Sequence, residues 1–226
     1  MTAQAGACLM DLETRARLSL GSSNDAIYRM VARAMAAHSA GGCLVDVGCG
    51  GGGLWREVHT RFTRYCGLDA VRYDALPGEC EFSLVDLDGD RWPLQGSGDA
   101  VVAIETIEHL ENPWAFIRRL ASLAKPGALV VVTTPNQLSA LSVLTLVVKQ
   151  RFSAFQDAHF PAHRTALLEC DLVRAVGAAG LDLVEVAYSR RGRLPLMPWH
   201  CPAFLSAVFP RALSDNMMIV ARKPRD

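Results

Sequence analysis

No sign of charge dominates this chain. Its 226 residues carry 23 basic and 23 acidic side chains, so neither nucleic acid nor an anionic surface meets a global attraction. No C-x-x-C pair occurs among the seven cysteines, Cys8, Cys43, Cys49, Cys66, Cys80, Cys170 and Cys201. Several of them sit in apolar stretches, where cysteine acts as a small hydrophobe, and an odd, scattered set fits a reducing compartment. The opening MTAQAGACLMDLETRARLSL has acids where a secretory signal needs a basic flank and an apolar core. The longest greasy stretch, Leu138 to Val148, is about half a membrane span and is interrupted by Ser139, Ser142 and Thr145. A cytoplasmic protein without a transmembrane segment is expected. Repeats, low-complexity tracts and Pro/Gly/Ser linkers are absent too, which leaves one domain as the natural size class.

What is present is a regular alternation. From Cys43 short apolar runs (CLVDV, RYCGL, EFSLV, DAVVAI, ALVVVTT, LDLVEVAY, NMMIVAR) are separated by segments of helical period. Runs of four to seven apolar residues suit strands covered on both faces, and βα alternation predicts an α/β, doubly wound, mostly parallel sheet with helices on both faces. Asn112-Pro113 should open a helix with Trp114, Ile117, Leu120, Ala121 and Ala124 on one face, ended by Lys125-Pro126-Gly127. Asn24-Asp25 should cap a helix through Ala36 that stops at Gly41-Gly42 and either packs on the sheet or roofs the ligand site.

The most specific pattern is Val45-Asp46-Val47-Gly48-Cys49-Gly50-Gly51-Gly52-Gly53, at the end of an expected strand and the start of a helix (LWREVHTRF). Glycines at 48, 50 and 52 would let backbone approach a ligand where a Cβ would collide, and a helix N-terminus would offer N–H groups to a negative group. Asp69 ends the next strand, where a carboxylate can accept from both hydroxyls of a ribose. Asp86 ends the third. Past the fourth strand lie Glu105, Glu108 and His109, with His159 and His163 downstream in DAHFPAHRTALL.

The acidic-x-G-x-G-x-G order resembles the first motif of class I S-adenosylmethionine-dependent methyltransferases more than the dinucleotide fingerprint. DAVVAIETIEHLENP and ALVVVTTPN resemble the ubiquinone-biosynthesis O-methyltransferase branch. His163 through Leu167 and Ser214-Asp215-Asn216 are similar to methyltransferases of bacterial cell-surface glycan pathways. NMMIVARKP resembles the antiparallel last strand of the fold, giving seven strands with a terminal hairpin. The resemblance implies S-adenosylmethionine as cofactor, bound by Asp46, Gly48, Cys49, Gly50, Gly52, Asp69, Ala70, Asp86, Leu87 and Glu105, with Asp86 at the adenine amine. It implies O-methylation of a small-molecule or saccharide hydroxyl. On this reading residues 1–40 form an N-terminal helical cap, 43–136 the cofactor-binding core, and 137–168 and 189–214 substrate-side insertions; the apolar run Leu138 to Gln156 could be a lid over an apolar substrate, a membrane-surface element, a dimer face or ordinary core, and Arg190, Arg191 and Arg193 could meet an acidic substrate group or stand in solvent.

The Glu-x-x-Glu-His loop has three readings. Glu105 or His109 could deprotonate the acceptor hydroxyl, with His109 and Glu108 the expected catalytic pair. A similar E-x-x-E-H loop in small-RNA 2′-O-methyltransferases holds a metal, which implies Glu105, Glu108, His109 and His163 as ligands of Mg²⁺, Mn²⁺ or Zn²⁺. Or Glu108 and His109 simply cap the following helix. An RNA 2′-O-methyltransferase, a non-catalytic binder of the cofactor and a nicotinamide enzyme are the rival functions.

Overall fold

The structure is a computed structural model and describes residues 12–193 and 199–225. The first strand, β1 (Gly42–Val47), is followed by β2 (Phe62–Asp69), β3 (Glu81–Leu84), β4 (Gly98–Ile104), β5 (Ala124–Pro135), β6 (Asp182–Tyr188) and β7 (Asn216–Arg222). Together they make one seven-stranded sheet in the order β3-β2-β1-β4-β5-β7-β6. The first five are parallel, and β7 runs antiparallel between β5 and β6. The apolar runs behave as their composition requires: Leu44, Val45 and Val47 of β1 and Val101, Val102 and Ala103 of β4 are fully buried, because helices cover both faces.

On one face lie α4 (Pro113–Leu123) and α6 (Glu169–Ala178). On the other lie α2 (Asp25–Ala37) and the single turn α3 (Trp55–Val58). A short α1 (Leu12–Arg17) precedes them, and α5 (Ala140–Lys149) and α7 (Ala203–Val208) belong to the two late insertions. Among the described residues no helix is long and apolar enough to cross a membrane.

Asn24 caps α2, its side chain accepting from Ala26 N, and Asn112 caps α4, accepting from Ala115 N. One expectation about α4 needs correction. Trp114 is exposed on its outer side, the buried face being Phe116, Ile117, Leu120, Ala121 and Leu123. The helix ends at Leu123, just before Lys125-Pro126-Gly127 as expected, and β5 begins at once at Ala124, which pairs with Gly98. The helix expected over LWREVHTRF is shortened to Trp55–Val58, because Phe62 and the residues after it are drawn into β2 beside β1.

The strand order reverses at β1, with β2 on one side and β4 on the other. At such a switch point the loops leaving the carboxyl ends diverge and leave a crevice.

Candidate functional site

A cavity of about 420 Å³ fills that crevice. Its floor is the tips of β1, β2 and β4: Asp46, Gly48, Cys49, Gly50, Asp69, Ala70 and Glu105. Asp86 and Leu87, from the loop after β3, and Glu108, His109 and His163 close it further. Asp86 stands two residues beyond the end of β3, exposed, with its carboxylate accepting from Asp88 N at 3.0 Å.

Two lining segments were only partly legible in the sequence. The amino-terminal strap contributes Leu12, Ala16, Leu18 and Gly21 through Asn24, and α2 adds Ile27 and Tyr28, so the α2 region both packs on the sheet and roofs the site. Residues 1–11 of the expected cap lie outside the described residues. The strap is tied down by Gly51 N to Gly21 O at 2.8 Å and by the Tyr73 hydroxyl, which donates to Ala16 O at 3.0 Å.

Gly52 is the one expected binding residue missing from the lining. A Cβ on it would lie 2.5 Å from the Pro77 ring, so it serves the packing of the loop. The steric reason for the other glycines is also different from the expected one. A Cβ on Gly48 would sit 2.3 Å from Thr106 Oγ1, and one on Gly50 would sit 2.2 Å from the carbonyl oxygen of Gly21. The protein's own chain, not a ligand, excludes side chains there. Nor do these amides form an anion cradle. Gly48 N and Cys49 N donate to Leu68 O, Gly50 N to the Asp69 carboxylate, Gly51 N to Gly21 O and Gly52 N to Cys49 O. With α3 only one turn long, the helix-dipole reading for a negative ligand group has no support in the structure.

Five carboxylates, Asp46, Asp69, Asp86, Glu105 and Glu108, line the cavity, and no lysine or arginine lines it among the described residues. Asp46 is buried and its carboxylate accepts the Tyr65 hydroxyl at 2.9 Å; desolvation pushes its pKa up to about 7. Asp69 accepts from Gly50 N at 2.8 Å, and burial raises it as well. Glu105 holds a left-handed backbone (φ 48°), with its carboxylate accepting the Thr133 hydroxyl at 2.8 Å and Asn216 Nδ2 at 2.7 Å. Burial raises its pKa to about 7. Glu108 is buried against the Thr134 hydroxyl and is raised well above the usual carboxylate range, first by desolvation and then by the Glu105 charge. The sequence assigns no role to Thr133, Tyr65 or Asn216, the partners that hold these acids, although Thr133 lies in the ALVVVTTPN run and Asn216 in Ser214-Asp215-Asn216.

The Asp46 pKa gives a sign for pH. Its folded value lies above the ordinary 3.8, so the folded state binds more protons than the unfolded one and stability falls as pH rises toward about 7. The ligand-free protein is therefore expected to melt higher as pH drops through about 7 into the mildly acid range, and Asp46→Asn should flatten that slope. Thermal melts across that range decide it, and a melting point that falls on mild acidification would contradict the burial of an unpaired carboxylate.

Three of the four expected metal ligands come together. Single ligand atoms of Glu108, His109 and His163 lie within 4.8 Å of one another. Glu105 is not in that group, its carboxylate being held by Thr133 and Asn216. His109 Nδ1 lies 2.9 Å from Ala162 O and His163 Nδ1 2.7 Å from Ala154 O. A carbonyl only accepts, so each Nδ1 carries the proton and each neutral ring keeps its lone pair on Nε2, the arrangement typical of metal-binding histidines and of general bases. Desolvation lowers the His163 pKa, which favours the neutral ring. His159 stacks on His163 at 5.5 Å and accepts from Gln156 N through Nδ1, so its tautomer is the opposite one.

A Rossmann-like sheet with an antiparallel final hairpin, and an acid-lined crevice at its switch point, defines the class I S-adenosylmethionine-dependent methyltransferase architecture. The sequence agrees: residues 22–186 match the methyltransferase domain family, and the chain belongs to it. The ubiquinone biosynthesis O-methyltransferase of Xanthomonas axonopodis pv. citri is 29% identical over 177 residues, 74% of this chain and 72% of that protein. An S-adenosylmethionine-dependent methyltransferase from Archaeoglobus fulgidus superposes with a TM-score of 0.63 at 14% identity, covering 94% of this chain and all of the other. The 1,6-didemethyltoxoflavin-N1-methyltransferase of Burkholderia thailandensis, solved with bound 1,6-didemethyltoxoflavin and S-adenosylhomocysteine, gives a TM-score of 0.60 at 13% identity, over 89% of this chain and 80% of that one.

Proposed function

We propose that this enzyme transfers a methyl group from S-adenosylmethionine to a hydroxyl of a small molecule or saccharide, with nucleic acid an unsuited acceptor. The supporting observation is electrostatic. Asp46, Asp69, Glu105 and Glu108 are desolvated around one cavity without a lining cation, and unpaired buried carboxylates are costly until a positive ligand arrives. S-adenosylmethionine brings a sulfonium and an ammonium. The pyrophosphate of a nicotinamide dinucleotide would meet a lining of carboxylates with no lysine or arginine among them, and no free loop amides from Gly48 to Gly52. The six free cysteines among the described residues suit a cytoplasmic setting.

In this reading Asp69 accepts from the ribose hydroxyls, the Ala70, Asp86 and Leu87 segment borders the adenine, and Asp46 and Glu105 face the cationic amino-acid end beside Gly48, Cys49 and Gly50. The bound cofactor supplies an activated methyl on a sulfonium leaving group. The chain's own residues orient the acceptor oxygen in line with it and exclude water, effects worth about 7–11 kcal/mol in favourable cases. The His109 Nε2 lone pair takes the acceptor proton. Deprotonating a hydroxyl is the task that a Glu/His cluster serves best, which favours oxygen over amine or carbon acceptors.

The cluster supports a second assignment for the same step. Glu108, His109 and His163 offer one carboxylate and two Nε2 lone pairs to a divalent ion, a donor set that Mg²⁺, Mn²⁺ or Zn²⁺ could accept, and such an ion would acidify the hydroxyl. Chelation followed by add-back separates the two: activity lost and restored by one ion assigns the metal, and activity indifferent to chelator assigns the base.

Isothermal titration with S-adenosylmethionine and with NAD, followed by product analysis on a phenol and a sugar acceptor, tests the whole reading. Binding of S-adenosylmethionine alone and a methylated oxygen are expected. Heat from NAD, or none from S-adenosylmethionine, would overturn it.

A further inference from the structure

Asp46 lines the cavity from the tip of β1, yet it is only 3% exposed. Among the described residues its carboxylate has one hydrogen-bond donor, the Tyr65 hydroxyl on the neighbouring strand. β1 and β2 pair in parallel, with Leu44 beside Tyr65 and Asp46 beside Gly67. Side chains two residues apart share a face of a strand, so Leu44, Asp46 and the Tyr65 ring lie on the face that α2 and α3 cover.

Tyr65 is itself clamped. Its buried ring stacks on Trp55 of α3, with centroids 4.8 Å apart and planes 2° from parallel, and the Trp55 indole N–H donates to Glu79 at 2.8 Å. A stacked ring enclosed in the core has little rotamer freedom, so its hydroxyl stays where Asp46 meets it. Burial pushes the phenol pKa far up, so the hydroxyl keeps its proton and donates it to the carboxylate. Neither Tyr65 nor Trp55 lines the cavity, and Tyr65 reaches a ligand there only through Asp46.

The other titratable groups around Asp46 are Asp69 at the end of β2, Cys49 in the glycine turn, Cys80 just before β3 and Tyr28 of α2, and none of them is a cation. Desolvation, with the Asp69 charge behind it, opposes ionisation of Asp46, and the Tyr65 bond works against both. Without that bond Asp46 keeps its proton to higher pH, and its charge is lost where a cationic ligand needs it.

We propose, on the assignment of Asp46 to the cationic amino-acid end of S-adenosylmethionine, that Tyr65 is a positioning residue for the cofactor: its clamped hydroxyl holds the Asp46 carboxylate oriented and charged to receive the ammonium.

The test compares, by calorimetry, the affinities of S-adenosylmethionine and of 5′-methylthioadenosine, which keeps the nucleoside and lacks the amino-acid end. Tyr65→Phe preserves the ring and its stack on Trp55 and removes only the donor. Its affinity for S-adenosylmethionine should fall by about tenfold at about pH 6, the effect of about one pKa unit at Asp46, and approach that of wild type toward about pH 9. The ligand's own ammonium titrates near about pH 8 for both proteins alike and cancels in the ratio. Affinity for methylthioadenosine should change by less than about twofold at every pH, since that ligand brings no ammonium to Asp46. In an Asp46→Asn background, where position 46 has no charge to lose, Tyr65→Phe should cost less than about threefold. Trp55→Leu loosens the clamp and keeps the hydroxyl; it should show the same ligand and pH pattern at about threefold, and it carries the comparison if Tyr65→Phe does not fold. Equal losses for the two ligands, a loss constant across pH, or the same loss in the Asp46→Asn background overturns the Tyr65 role while the cofactor assignment stands. Wild-type protein that binds no S-adenosylmethionine overturns both.

Discussion

His109→Ala is expected to lower kcat by about 10²–10⁴, the usual contribution of a positioned general base, with the Kd for S-adenosylmethionine nearly unchanged. His109 Nδ1 lies 2.9 Å from the Ala162 carbonyl and carries the proton, so the lone pair of the neutral ring is on Nε2, in a ring that stands with Glu108 and His163. Alanine removes that lone pair and leaves the floor of the cavity, Asp46 through Asp69, in place. Steady-state rates together with calorimetry give the split between kcat and cofactor affinity. A fully active variant would refute both the base and the metal assignment. His163→Ala then divides them: an ion ligand should be needed for turnover and for metal retention alike, whereas beside a metal-free base His163 acts only through packing against the His109 ring at 4.8 Å.

Gly50→Val should reduce the affinity for S-adenosylmethionine by at least about a hundredfold. A valine at φ 51° pays the left-handed backbone penalty of about 1–2 kcal/mol. Its Cβ would also lie 2.2 Å from the Gly21 carbonyl oxygen, so the strap must move and the Gly51 N to Gly21 O bond breaks. Gly50 N is the partner of Asp69, and shifting it disturbs the expected ribose carboxylate directly. About 3 kcal/mol in total corresponds to a hundredfold loss. Gly51→Ala is the matched control: it needs no positive φ, and its nearest neighbour is the Ala75 methyl at 3.1 Å, so affinity should fall far less. Equal affinities for the two variants, with the fold intact by circular dichroism, would detach the strap and loop from the cofactor site.

The expected site residues and the observed cavity overlap closely because period and punctuation carry them. Asp46 and Asp69 end apolar runs that could only be covered strands, and a parallel sheet brings such ends to one side. Glu105 and Glu108 follow the same rule after β4. The errors have a common origin in contacts distant along the chain. That Gly48 makes room for Thr106, and Gly50 for Gly21, depends on a β4 loop and an amino-terminal strap meeting the glycine turn. The fate of the loop amides depends on Leu68 and Asp69 of the next strand. Trp114 fits the helical period, yet it falls on the side of α4 away from the sheet. Periodicity fixes a face only to within a residue or so.

By itself, the amino-acid order determined the α/β class, the strand sequence, the caps at Asn24 and Asn112 and the set of acids aimed at the crevice, because each follows from local hydrophobic period and turn chemistry. Tertiary structure alone decided which donors those acids meet, Tyr65, Thr133, Thr134 and Asn216, and that no cation shares their cavity among the described residues. It decided that Glu108, His109 and His163 converge while Glu105 turns aside. It also decided that α5 and α7 bury serine and expose valine and phenylalanine. Desolvation and side-chain pairing are properties of surroundings, and surroundings are assembled only when remote segments pack.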